Sequence, residues 1–300
     1  MSGRSIQTVQ EGLDQTCWRG IRFSHPAEWT PAILSGRNEP GRCILVDRRF
    51  QRMQLHWEIV HRPPDLTRMY DELRKEHKQY AASRLSGVPG WSGIVCTEPG
   101  RQVVHAGKYF QAAECLVQVI LTAPGGRHRQ LEGIVLESIR PTGQTDPVLW
   151  RALGLTAVAP RAFELISSHN LVGRITWEFR RSGRPPAGLT IERIAMGRYW
   201  LKKPLTEWLI EQQPKGFRPG RQGPVDCGGH GGHELATRRW SLLGQVLGRA
   251  EHRLERAWRC AADDRIYRLT YQQRWAGEID WPAGLEVHCC RPVKLIPSVA

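Results

Sequence analysis

Between Arg52 and Val60 apolar and polar positions alternate, with Leu55, Trp57 and Ile59 set against Gln54, His56 and Glu58. A period of two marks a strand with one buried face. The run 42–46 precedes it across Asp47-Arg48-Arg49, which predicts a hairpin, and Pro63-Pro64 stops the strand. The period then changes. Leu66, Met69, Tyr70, Leu73 and His77 recur at helical spacing, which predicts a helix over 66–82. Two or three strands are expected to follow and to close at Ile139.

The same order of signals recurs later in the chain. The segment 43–58 lies over 163–178, placing Leu55 on Ile175, Trp57 on Trp177 and Glu58 on Glu178. Arg62-Pro63-Pro64 then matches Arg184-Pro185-Pro186, and Leu66-Thr67 matches Leu189-Thr190. Cys96 and Cys227 each follow a Gly/Pro-rich approach. The runs 116–122 and 134–141 find counterparts in 266–272 and 285–292. Matches kept in order, at an offset that only grows, point to a duplication with insertions in the second copy. In that copy the hairpin turn is expected at Ser167–Asn170, and the helix from Leu189 to about Gln212 with a break at Pro204. The expected fold class is therefore α+β, two tandem copies of an antiparallel-sheet-plus-helix module. The first spans 1–143 and the second 144–300. Pro141–Pro147, rich in turn formers, is the linker.

Each module resembles the PsbP/Mog-like α/β/α sandwich in element order, and Ile21-Arg-Phe-Ser-His-Pro-Ala-Glu-Trp29 resembles that family's opening. The resemblance implies a scaffold used for binding and carries no common active site.

Charge and cysteine content narrow the function classes. The chain has 300 residues, a net charge of +14 and a pI of about 9.9. A basic excess favours a polyanionic partner, whether nucleic acid, an acidic protein face or an anionic membrane surface. Eight scattered cysteines without a Cys-x-x-Cys pair, a polar start and no long apolar run predict a cytoplasmic chain without a membrane span.

Three stretches carry candidate chemistry. Asp226-Cys227-Gly-Gly-His230-Gly-Gly-His233-Glu234 sets one thiol and two imidazoles among glycines, a donor set suited to zinc. Cys227, His230 and His233 are the candidate ligands, with a fourth from Cys260, or from His288, Cys289 or Cys290 on the last strand. On a continuous strand, Cys289 faces away from His288 and Cys290. Their spacing matches none of the common zinc-finger patterns.

The second stretch, 241–256, is read as a basic amphipathic insertion. Leu242, Leu243, Val246, Leu247, Ala250 and Leu254 form its apolar face, opposite Arg249, Arg253 and Arg256. The third, Lys215-Gly-Phe-Arg-Pro-Gly-Arg-Gln-Gly, offers Lys215, Arg218 and Arg221 to an anion. No catalytic residue is assigned. The leading expectation is a non-enzymatic binding or assembly protein that meets a protein partner through its basic second module and needs no cofactor. The alternatives are a zinc-binding protein centred on Cys227, His230 and His233, and an RNA- or single-stranded-DNA-binding protein.

Overall fold

The structure, a computed structural model, describes residues 12–36, 39–143, 147–240, 250–276 and 279–290. The chain divides into two compact units. One takes 1–145 with 150–153, the other 146–149 with 154–300. Strands form 54% of the chain and helix 13%, so the fold is β-rich and the α+β expectation is corrected.

In the first unit, strands β1 (Leu13–Trp18), β2 (Ile21–Pro26), β3 (Thr30–Leu34), β4 (Gly41–Val46) and β5 (Gln51–Ile59) lead to helix α1 (Leu66–Glu76). Strands β6 (Ala81–Arg84), β7 (Ser92–Glu98), β8 (Arg101–Phe110) and β9 (Cys115–Pro124), helix α2 (Arg129–Ser138) and the short β10 (Arg140–Pro141) complete it. Seven strands form one antiparallel sheet in the order β3-β4-β5-β9-β8-β7-β6. Met53, Leu55 and Trp57 pair with Leu121, Val119 and Val117, which sets one apolar face. Ile94 and Cys96 point to the other face, where Tyr70, Met69 and Leu73 of α1 cover them. Asp65 caps α1 by accepting the Arg68 N–H at 3.0 Å, a contact worth about 1 kcal/mol.

After β11 (Val148–Ala152), the second unit runs through β12 (Leu155–Ala159), β13 (Phe163–Leu171), β14 (Arg174–Arg181) and β15 (Ala187–Ile194). Helices α3 (Gly197–Trp200) and α4 (Leu205–Glu211) follow, then β16 (Arg218–Asp226), β17 (Gly231–Arg239), β18 (Ala250–Cys260), β19 (Arg265–Ala276) and β20 (Glu286–His288). The large sheet has the order β13-β14-β15-β19-β18-β17-β16, the order of the first with every index raised by ten.

That order corrects the sequence alignment. Trp57 lies on β5, whose counterpart in strand order is β15. Trp177 lies on β14, the counterpart of β4. The match slipped by one strand because successive antiparallel strands of one sheet share the same alternation. The pairing of 116–122 with 266–272 does join β9 to β19. Cys96 sits inside β7 under α1, whereas Cys227 lies in the loop before β17, so the two thiols are not equivalent.

Four element assignments change as well. The helix expected over 66–82 ends at Glu76, and Ala81–Arg84 is a strand. The helix expected from Leu189 resolves into β15, α3 and α4. The second hairpin turns at Val172-Gly173, not at Ser167–Asn170. The segment expected as a closing strand before Ile139 is α2, whose Val135 and Leu136 are buried with Ile139 just beyond it.

The basic insertion is not a helix where it is described. Residues 241–249, Arg249 included, lie outside the described residues, and Ala250–Arg256 belong to β18. Its charges had suggested a solvated helix face. Arg253, with Glu251 and Glu255, instead faces inward on one side of the sheet, and Arg256 alternates onto the other. Glu255 is fully buried and accepts from Arg268 Nη2 at 2.7 Å, Gln213 Nε2 at 2.7 Å and Arg253 Nε at 2.6 Å. Arg268 also reaches Glu192, and its guanidinium stacks over Trp208 of α4. The opposite face of the same sheet is apolar, with Trp177, Ile191, Trp258 and Tyr267 buried and the last two rings stacked at 5.4 Å. Among the described residues no helix is long and apolar enough to cross a membrane.

Candidate functional site

Strands β16 and β17 form a hairpin whose last pair is Asp226 with Gly231. The four residues between them, Cys227 to His230, turn through Gly228 at φ +67° and Gly229 at φ +89°. An L side chain rarely adopts that conformation, so the glycine pair is what lets the loop close. The Cys227 N–H donates to the His230 carbonyl at 2.9 Å, and Asp226 Oδ1 accepts the Gly229 N–H at 2.8 Å. His230 thus closes the turn, with its carbonyl held by the Cys227 N–H.

Two further elements of the same unit converge on that imidazole. Cys260 is the last residue of β18 and is fully buried. Strand β20 ends at His288, and the chain then bends through Cys289 and Cys290. His230 Nε2 lies 3.0 Å from Cys289 Sγ and 3.3 Å from Cys290 Sγ, and the two sulfurs are 3.9 Å apart. One ligand atom from each of His230, Cys260, Cys289 and Cys290 falls within 4.8 Å of every other. All the cysteines are free thiols.

Of the sequence candidates, the structure brings together His230 and Cys260 with both Cys289 and Cys290. It leaves Cys227 and His233 outside the cluster. The Cys227 sulfur lies against Gly232, where an added Cβ would come within 2.7 Å of it. His233 pairs with Pro224 and Ala257 inside the sheet, on the face that carries Leu235. A strand continued through Cys290 would set that thiol opposite Cys289, but the strand stops at His288. The strand's end there frees both vicinal thiols to turn the same way, while His288 Nε2 lies 3.1 Å from Glu286 Oε2. Burial pushes the Cys260 thiol up to about 12 and the Cys227 thiol up to about 11.

The basic candidates divide. Arg253 is committed to Glu255, and Arg256 donates to Glu234 at 2.6 Å while stacking 4.7 Å over Trp281. Both serve the unit's interior. Lys215, Arg218 and Arg221 are exposed, on β16 or just before it.

A second surface gave no signal in the sequence reading. The connection from β15 to β16 leaves Met196, Tyr199, Trp200 and Ile210 exposed, with Tyr199 at 66% and Trp200 at 60%. Met196 holds a left-handed φ of +54°. The Gly197 N–H donates to the Asp264 carbonyl at 2.6 Å, and Asp264 also accepts from Arg198 and Arg259, each at 2.8 Å. The Ala195 N–H donates to Gly173 at 2.7 Å, which sets the exposed Leu171 and Val172 of the neighbouring turn beside this ledge. Arg198, Lys202 and Lys203 are the exposed cations among these residues.

Neither a family model nor a curated protein matches the sequence. Among solved structures, the chain is similar to immunity protein TplEi of Pseudomonas aeruginosa in complex with a peptide, at 9% identity and a TM-score of 0.38, covering 90% of each chain. The apo structure of the same protein gives 8% identity and a TM-score of 0.35, again over 90% of each chain. Likenesses of that size assign neither fold nor function.

Proposed function

We propose that this chain is a non-enzymatic binding protein that engages an acidic protein partner through the ledge of its second unit. The observation that carries this reading is the exposure of Met196, Tyr199, Trp200 and Ile210 on one connection of a folded unit, with Leu171 and Val172 beside it. Exposed apolar side chains gathered on one connection mark a candidate interaction site, and exposed aromatics are the usual anchors of protein interfaces. The ledge is held in place by the Asp264 contacts, so little ordering entropy opposes docking. Lys202 at the ledge, Lys215 and Arg218 farther along the same segment, and the net charge of +14 favour an acidic partner and speed its encounter. The first unit makes the corresponding connection, from β5 to β6, with α1, which turns Tyr70 inward. The second unit is thus the specialised one.

The test compares proteins retained from nuclease-treated native extract by the full chain and by the Tyr199→Ser, Trp200→Ser double variant. An acidic protein retained by the first and lost from the second supports the reading. An identical retained set, or retention that vanishes with nuclease, contradicts it.

A further inference from the structure

We propose that His230, Cys260, Cys289 and Cys290 hold one zinc ion, which clamps the end of β20 and the end of β18 to the β16–β17 loop. The site shares no residue with the partner-binding ledge.

The donor set comes first. Three thiolates and one imidazole form a Cys3His set, which tetrahedral structural zinc takes and hard cations such as magnesium or calcium do not. Geometry agrees. With Zn–S bonds of about 2.3 Å, a regular tetrahedron has S···S edges of about 3.8 Å. Cys289 and Cys290 stand 3.9 Å apart, and His230 Nε2 lies at 3.0 and 3.3 Å from the same two sulfurs. A disulfide would need about 2.05 Å, and both thiols are free. Cys260 lies within 4.8 Å of the other three ligand atoms, so closing its edges to the tetrahedral length asks for a movement of about 1 Å at most.

Topology supplies the third argument. The ligands come from three places in the sequence: a hairpin tip at 230, a strand end at 260 and a bend at 289–290. Local sequence does not bring them together; the fold does. Among the described residues strand β20 makes three paired contacts, Thr156 with His288, Ala157 with Val287 and Val158 with Glu286. So short a strand is weakly held by its ladder, and the clamp gives its end a strong anchor. Four protein ligands leave no open position, which fits a structural centre and not a catalytic one.

The full chain, purified without a His tag, is stripped with chelator, reduced and titrated with cobalt(II), then zinc. The expected result is one equivalent of cobalt with the visible bands of a tetrahedral thiolate site, displaced by one equivalent of zinc. Protein not exposed to chelator should contain one zinc per chain by elemental analysis. Cys260→Ser, Cys289→Ser, Cys290→Ser and His230→Ala should each lose the tetrahedral spectrum, while Cys227→Ser and His233→Ala keep it. The wild-type titration decides even where a variant fails to fold. Octahedral cobalt with background zinc in the wild type overturns the proposal. So does loss of the spectrum in a folded Cys227→Ser chain.

Discussion

Trp29 and Phe163 occupy the same place in two separate units. The Trp29 N–H donates to the Pro26 carbonyl at 3.0 Å, and the Phe163 N–H donates to the Pro160 carbonyl at 2.9 Å. Upstream of each, a tight turn has two left-handed residues, Arg19 and Gly20 at φ +45° and +80°, Leu153 and Gly154 at φ +55° and +69°. These are the signs of type I′ hairpins, whose twist suits paired strands. The spacing from Ile21 through Pro26 to Trp29 recurs from Leu155 through Pro160 to Phe163. Together with the shared strand order, this makes the second opening a counterpart of the first.

A prediction follows for the turn. A Cβ at Gly20 would meet nothing within 4 Å, so the cost of Gly20→Ala is purely conformational. It should lower stability by about 1 kcal/mol, read as a lower urea midpoint. An unchanged midpoint would contradict the turn assignment.

The second opening was legible in principle, since its proline and aromatic keep the first copy's spacing, but Leu155-Thr-Ala-Val-Ala159 lacks the aromatic that marks Ile21-Arg-Phe23. Alternation identified β4 and β5 directly. It failed on β18 because Glu251, Arg253 and Glu255 are charged yet face inward, where Arg268 and Gln272 meet them. A pattern that equates charge with solvent reads such a strand as a helix face. The cluster was half legible: glycine flanks pointed to His230, whereas Cys290 depended on where β20 ends, which sequence periodicity does not resolve.

The charged layer of the second unit is stabilising only when complete. Glu255→Leu leaves Arg268 buried without its closest carboxylate. Removing one member of a buried ion cluster costs about 3–5 kcal/mol. Differential scanning calorimetry should show a transition of the second unit shifted down. Replacing Glu255 and Arg268 together with apolar residues should recover most of the loss; no recovery would show that packing, not charge, sets the cost.

Acid should weaken the first unit. His25 is buried and bonds Thr16 Oγ1 at 3.0 Å, and burial holds its pKa below the ordinary 6.5, opposed by the Pro26 carbonyl, Asp14 and Glu28 and assisted by Arg151. Burial also depresses His105, which faces His77 at 5.6 Å. Both fold preferentially neutral, so the unfolded chain takes up protons first as pH falls below about 6.5. Their stabilisation is complete above that pH and declines below it. His25→Gln should flatten the thermal midpoint profile between pH 7 and 5; a profile as steep as wild type would exclude His25 as a source.

The ledge should be functional surface and not core. Tyr199→Ser and Trp200→Ser remove exposed side chains, so each should change stability by no more than about 0.5 kcal/mol in urea unfolding. A loss of 2 kcal/mol or more, roughly the scale of a core truncation, would show that these rings pack inward.

The binding claim is met most directly by photocrosslinking in the native cell. A photoreactive phenylalanine analogue replaces Trp200 in one chain and, as a control, the exposed Phe50 of the first unit in another. The account predicts a discrete adduct with an acidic protein from position 200 that weakens when Lys202 and Lys203 become glutamate, and none of that adduct from position 50. No adduct at position 200, or the same adduct from both positions, would contradict it.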